Sequence, residues 1–234
     1  MEIGTTNLEQ IKRIARVLLH CGVKRTDIDL IVKHPFSDIK IVAIQTDCSS
    51  KLLDITQAKD ADIWRTRMSK EIDKSKSVKE IILMITKPYR LVALKHFAKY
   101  LSEEDYAKHL YYAWISVEAP NLDPNFTISE FVRLFRDANK AYLMNQEERT
   151  QLEGLKDIVT VYRGVTQKSQ VPRKSLSWTT NKETAQWFAN RFDSNGKVYS
   201  ATIPKERIYA YFLGRDEYEV IIDPRYLTNI TKEN

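Results

Sequence analysis

The sequence predicts an α+β chain, helical through its first half and strand-rich around a β-sheet in its second. Three observations point there. Apolar residues recur at helical spacing through much of the first 120 positions. The clearest β-branched and aromatic runs, 157–162 and 220–222, come late instead of alternating with helices. Pro120-Asn121-Leu122-Asp123-Pro124-Asn125 is the strongest turn signal, and it divides the chain into a helical domain, 1–122, and a second domain, 123–234.

Taken in order, Thr6-Asn7-Leu8-Glu9 has the form of a capping box. Leu8, Ile11, Ile14, Ala15, Leu18 and Leu19 follow at helical spacing, and Gly22 closes the helix. A short helix is expected from Thr26 to Val32, ending before His34-Pro35. Residues 37–46 alternate as a strand would, with Ile39, Ile41 and Val42 apolar. Segments 51–73 and 78–85 read as helices. Pro88 opens another that carries Leu91, Leu94, Phe97 and Leu101. Ser102-Glu103-Glu104-Asp105 caps a helix running through Tyr106, Leu110, Ala113 and Trp114. Beyond the break, 129–143 is a strongly periodic helix and 145–155 a shorter one. The pair of helices about Gly22–Thr26 has the outline of a helix-turn-helix. Its reading helix would carry Asp27 and Asp29 where base contacts belong, and acids there repel phosphates.

At 234 residues the chain is long enough to bury a real core. Hydrophobic residues make up 43% and charged residues 29%, the balance of a soluble globule and not of a disordered or membrane chain. The start lacks the basic and apolar regions of a secretory signal, and no apolar run reaches membrane-spanning length. Cys21 and Cys48 do not have metal-ligand spacing and read as free thiols in a reducing, cytoplasmic setting. His20, His34, His96 and His109 are scattered, and no metal site is expected. Net charge is +6, and between Arg65 and Lys95 nine Lys/Arg stand against three acids. Such a stretch can grip an anion, but it is more often a solvated helix face.

Three short motifs in the last third carry chemistry. In Val161-Tyr162-Arg163-Gly164, a β-branched run delivers an arginine to its end. The planar guanidinium can grip a phosphate or ribose oxygens bidentately, and Gly164 admits a close backbone approach or a positive φ. In Ser177-Trp178-Thr179-Thr180, the Ser177 and Thr179 hydroxyls share one face of an extended segment and Trp178 takes the other. Thr180 or Asn181 can cap the helix that follows, where Ala185, Phe188 and Ala189 have helical spacing and Trp187 and Phe188 are expected in the core. In Glu217-Tyr218-Glu219, two acids at i and i+2 of a strand would face one pocket about 7 Å apart, and two such carboxylates resist ionising together.

In this order the motifs resemble the arginine–serine–glutamate class of mono-ADP-ribosyltransferases, which cut NAD at the nicotinamide bond and move ADP-ribose onto a target. The resemblance covers roughly residues 125–230 and leaves the first 120 or so unmatched; Trp178 stands where the family more often has threonine. It implies a split mixed β-sheet with flanking helices, NAD as substrate and no metal. It implies that Arg163, Gly164, Ser177, Thr179 and Glu219 bind NAD, and that Glu219, Glu217 and Arg163 are catalytic. Ser177, and less directly Thr179, would position the glutamate, with Gly214-Arg215-Asp216 in the substrate-recognition loop. Glu217 would deprotonate the acceptor, an arginine of a protein target, or else activate water to give an NAD glycohydrolase. A catalytically silent NAD- or macromolecule-binding module is a further alternative, as is a nucleic-acid acceptor held by segment 65–95. A basic chain of this resemblance with no leader would suit an intracellular bacterial or phage effector or toxin.

Overall fold

The computed structural model describes residues 4–45, 50–117, 119–166, 171–191 and 195–233, without the side chain of Arg215. Two compact units divide the chain, Met1–Val117 and Glu118–Asn234. The Pro120–Asn125 break lies just inside the second.

The first unit holds helices α1 (Leu8–Leu19), α2 (Ala58–Lys74), α3 (Val78–Met84), α4 (Arg90–Phe97) and α5 (Glu103–Ser116). Caps explain where they begin. The Asn7 side chain accepts from Gln10 N at 3.1 Å at the start of α1, and the Ser102 hydroxyl accepts from Asp105 N at 3.1 Å at the start of α5. Ile11, Ala15 and Leu19, spaced for one helix face, are fully buried, as are Ala107, Leu110 and Ala113 on α5.

This half is not wholly helical. Strands β1 (Lys24–Arg25), β2 (Ile31–His34) and β3 (Ser37–Ile39) form a small antiparallel sheet, and β4 (Ile41–Gln45) pairs with β5 (Ser50–Asp54) as a hairpin. The helix expected over Thr26–Val32 is therefore a turn and a strand. The Thr26 hydroxyl donates to the Ile28 and Ile31 carbonyls and accepts from Ile28 N, offering the backbone an alternative to helical bonding. The helix expected over 51–73 begins only at Ala58, because Ser50–Asp54 is taken up in the hairpin and Asp54 Oδ1 fixes a turn through Thr56 N at 2.9 Å. Thr46 and Cys48 lie outside the described residues. Cys21 is exposed and unbonded to another cysteine.

His34, at the end of β2, is buried. Its Nδ1 accepts from Phe36 N at 3.0 Å and its Nε2 faces the Cys21 carbonyl at 3.1 Å, so the ring is a neutral Nε2–H tautomer. Burial holds its pKa at about 4, below the ordinary 6.5. The unfolded chain therefore binds more protons across that window, and stability is lost as pH falls from 6.5 towards 4. By pH 5 the loss from this residue is roughly 2 kcal/mol, and His109, also held low by burial, adds the same sign. Urea unfolding at pH 7 and pH 5 should show that drop in the wild type and a smaller one in His34→Gln; equal drops would rule out His34 as the cause.

In the second unit, α6 (Ile128–Arg136), α7 (Lys140–Leu143) and α8 (Gln146–Gly154) precede β6 (Ile158–Val165). Then follow β7 (Ser177–Thr179), α9 (Lys182–Asn190), β8 (Lys197–Pro204), β9 (Ile208–Phe212), β10 (Glu219–Ile222) and β11 (Thr228–Lys232). The single helix expected over 129–143 is broken, because the Asn139 side chain accepts from Ala141 N at 3.0 Å and restarts the chain as α7. Thr127 and Glu130 form a capping box on α6, and Asn145 and Glu148 form one on α8. The buried Glu148 also accepts from Leu213 N at 3.0 Å, tying α8 to the end of β9.

The sheet order is β11-β8-β6-β7-β10-β9, and every pairing among the described residues is antiparallel where a mixed sheet is expected. This sheet cannot be flat. β8 and β9 stand at its second and sixth positions, about 19 Å apart in a planar sheet. Only the turn Lys205–Arg207 joins them, and the steps from Pro204 to Ile208 reach at most about 14 Å. The sheet must curl into two three-stranded halves, β11-β8-β6 and β7-β10-β9. Among the described residues, β6 and β7 pair between these halves at Tyr162 with Thr179. All five residues of β9 are buried, with α6, α7 and α8 packed against that strand, while α9 packs on β6.

Candidate active site

That seam is where the three motifs meet. Val159 and Val161 are buried, and β6 then delivers Arg163 near its end. β7 consists of Ser177, Trp178 and Thr179, and β10 opens with Glu219. Thr179 pairs with Tyr162 on one side and with Glu219 on the other, so Tyr162, Thr179 and Glu219 form one row across three adjacent strands. Ser177 pairs with Ile221, two residues deeper along β10.

Arg163 bridges the seam. Its Nη1 donates to the Ser177 carbonyl, and its enclosed Nε has no hydrogen-bond partner among the described residues. Desolvation lowers the guanidinium pKa to about 10, and the negative charge of Glu219 opposes that shift. Arg163 therefore remains a cation at neutral pH, close enough to Glu219 to feel its charge. Glu219 is 9% exposed.

Glu217 is not on the strand. The chain from Gly214 to Asp216 makes a 3-10 turn, and Glu217 keeps right-handed helical angles, with φ −84° and ψ −14°. Asp216 and Tyr218 have positive φ, 55° and 48°. The left-handed Tyr218 breaks the two-residue alternation on which a shared face for Glu217 and Glu219 depends. The turn is tied down from β7. The Thr179 hydroxyl donates to the Glu217 carbonyl at 2.8 Å and accepts from Asn181 N at 3.1 Å, and Thr180 N donates to the Tyr218 carbonyl at 3.2 Å. Of the two hydroxyls expected to position the glutamates, it is Thr179 that touches their loop; Ser177 contributes its carbonyl to Arg163.

Gly164 has a packing reason to be glycine. Its φ is not positive. A Cβ there would lie 2.5 Å from Ala189 N and 2.9 Å from Phe188 Cβ, and closer still to the Ala185 carbonyl, so it marks where α9 presses on β6. Asn181 is the residue that caps α9, accepting from Thr184 N at 2.9 Å. Trp178 is buried and donates from Nε1 to the Ser175 carbonyl at 2.9 Å. Trp187, expected in the core, is 59% exposed and lies under the Arg191 guanidinium at 5.4 Å; Phe188 is half-buried. Helical periodicity cannot separate the two, because Ala185 and Ala189 already fill the face that touches β6. The motif reading also passed over Tyr162 and Tyr211. Tyr162 precedes Arg163 and sits in the row with Glu219, and the Tyr211 hydroxyl meets Thr180 Oγ1 at 3.0 Å.

Among the described residues, no group of three His, Cys, Asp or Glu side chains is placed to hold a metal ion, and no helix is long and apolar enough to cross a membrane. Comparison with protein-family models, with curated proteins and with solved structures finds no match.

Proposed function

We propose that the chain is an NAD-dependent mono-ADP-ribosyltransferase of the arginine–serine–glutamate class, that unit Glu118–Asn234 has the corresponding fold, and that the acceptor is an arginine of a protein. The observation that carries this reading is the meeting of Arg163, the Ser177–Thr179 strand and Glu219 on three adjacent strands at the one bridge between two sheet halves. The donor set suits NAD as substrate. Arg163 offers a positive charge retained beside Glu219, suited to phosphate or ribose oxygens. Tyr162, in the row beside Thr179 and Glu219, adds an aromatic surface.

In the reaction the bond from the ribose anomeric carbon to the nicotinamide nitrogen breaks, and the nitrogen keeps the electron pair. The ribose becomes oxocarbenium-like, and the buried Glu219 carboxylate stabilises that cation and holds a ribose hydroxyl. The acceptor nitrogen then bonds to the anomeric carbon and gives its proton to the Glu217 carboxylate. A guanidinium is a weak nucleophile and needs such a base.

The Glu217 backbone, in the turn ahead of β10 and not on the strand that carries Glu219, favours a second reading, in which water is the acceptor and the chain is an NAD glycohydrolase. Purified protein incubated with NAD, alone and with arginine-bearing acceptors or cell lysate, separates the two. Nicotinamide release with an added ADP-ribose mass supports transfer, release without it supports hydrolysis, and no release under either condition overturns both. Glu217→Gln is expected to leave hydrolysis within a fewfold of wild type and to cut transfer to arginine about 100-fold or more. Equal loss of both would remove the acceptor-activating role.

A further inference from the structure

The opposite end of the β7-β10-β9 half gathers cations that the proposed reaction does not use. Three single 3-10 turns lie there, Pro172–Lys174, Lys205–Arg207 and Pro224–Tyr226, and each carries an arginine. The first packs against the third, and Asp223 N donates to the Arg207 carbonyl at 3.1 Å, joining the second to the third. Arg173 and Lys174 are exposed, and Arg136, at the end of α6, adds its charge near Tyr209. From Glu219 at the top of β10 to Asp223 the strand covers about 13 Å, so this surface is separate from the candidate active site.

Two of these arginines are held in fixed poses. Asp223, 1% exposed, receives Arg225 Nε at 2.8 Å and Nη2 at 2.6 Å. Arg207 lies over the ring of Tyr226 at 4.0 Å, and Tyr226 is 41% exposed. The acids nearby are accounted for: Asp223 is enclosed, Asp137 pairs with its neighbour Arg136 at 3.0 Å, and Glu206 lies 3.3 Å from Arg207. Arg173 and Lys174 are left without an acidic partner among the described residues.

We propose that this end of the sheet binds single-stranded nucleic acid. Arg173 and Lys174 would contact backbone phosphates, and the Tyr226 ring with the guanidinium laid on it would take a base by stacking. The chemistry favours this over an acidic peptide. A carboxylate prefers the two-pronged edge of a guanidinium, and Asp223 already occupies that edge of Arg225. The half-exposed Tyr226 ring beside the Arg173 and Lys174 charges adds a flat π surface that a carboxylate does not use and a base stacks on.

The test uses the full chain and a fluorescein-labelled single-stranded RNA of ~12 nucleotides, a typical span for such grooves, read by anisotropy across a salt series. Arg173→Ala/Lys174→Ala should bind at least tenfold more weakly, with a salt slope shallower by about 1.4. Tyr226→Leu should weaken binding about tenfold with the slope unchanged. Arg67→Ala/Lys70→Ala, in the basic stretch of the other unit, should bind like wild type. The altered side chains are exposed, and circular dichroism checks that the fold is kept. Three results would overturn the proposal: no RNA binding by wild type at low salt, equal binding by the Arg173/Lys174 variant, or displacement by polyglutamate or phosphatidylserine vesicles as effective as by unlabelled RNA.

Discussion

Glu219→Gln is expected to lower nicotinamide release from NAD at least 100-fold while leaving NAD affinity within a fewfold. Glutamine has the shape of glutamate and lacks its charge, so the variant isolates electrostatics. On the proposed activity, bound NAD would gain a positive ribose only as the glycosidic bond breaks. A carboxylate facing that carbon therefore stabilises the transition state more than the ground state. Removing one preorganised electrostatic partner typically costs a factor of about 100–1,000, and Glu219, 9% exposed and opening its strand, has little freedom to let water take its place. The side chain also feels Arg163. Loss of its charge leaves that guanidinium less compensated, so part of the effect would appear as a small change in NAD binding. Single-turnover nicotinamide release and equilibrium dialysis of NAD separate the two quantities. Turnover retained within tenfold would end the assignment of Glu219 as the catalytic carboxylate.

The largest effect on stability is expected at Gly164. Gly164→Ala adds one carbon where backbone atoms of α9 already stand, with Ala189 N at 2.5 Å and the Ala185 carbonyl nearer still. Backbone on a helix cannot swing aside as a long side chain can, so α9 must lift from β6 or the strand must shift. Overpacking of this kind costs about 3 kcal/mol. Gly196 meets the same helix, since a Cβ there would lie 2.8 Å from Ala189 Cα and closer to its carbonyl. Gly154→Ala is the control, because nothing lies within 4 Å of a Cβ at that position. Urea midpoints should fall steeply for Gly164→Ala and hold within about 0.5 kcal/mol for Gly154→Ala. A Gly164→Ala protein as stable as wild type but unable to bind NAD would point to a ligand contact in place of packing.

Much of this arrangement is legible in the residues. The β-branched and aromatic runs within Asp157–Tyr162 and Val220–Ile222 have the composition of strands and lie in β6 and β10. Side chains such as Ser102 and Asn145 announce helix starts because a cap is a local event, satisfied within three residues; for α1 the cap is Asn7, one residue past the Thr6 of the capping-box pattern, whose hydroxyl bonds Ser102 and Asp105 instead. The order of the three motifs carries over directly into adjacency on the sheet. What could not be read is whatever depends on a distant partner. Tyr218 adopts a left-handed backbone in a turn held by Thr179 and Thr180, some forty residues earlier, so the spacing of Glu217 and Glu219 alone suggests a strand alternation that the backbone there does not follow. The strand expected over 37–46 is there as β3 and β4, but β1 and β5 are short, mostly exposed and polar, and their pairing outcompetes helical propensity only once the segments meet. Trp187 shows the converse: a large apolar side chain suggests burial, but two alanines already fill the contact.

The tripeptide Lys205–Arg207 has a consequence for how kin of this chain can be sought. A surface turn ordinarily tolerates extra residues, but this one is the drawstring of the curl, and lengthening it would let the two sheet halves drift apart. Chains that keep the same closure must keep a link of about the same length. A fixed interval between two strand runs, flanked upstream by an arginine-ended strand and downstream by a buried glutamate, is then a search pattern that survives when residue identity has faded.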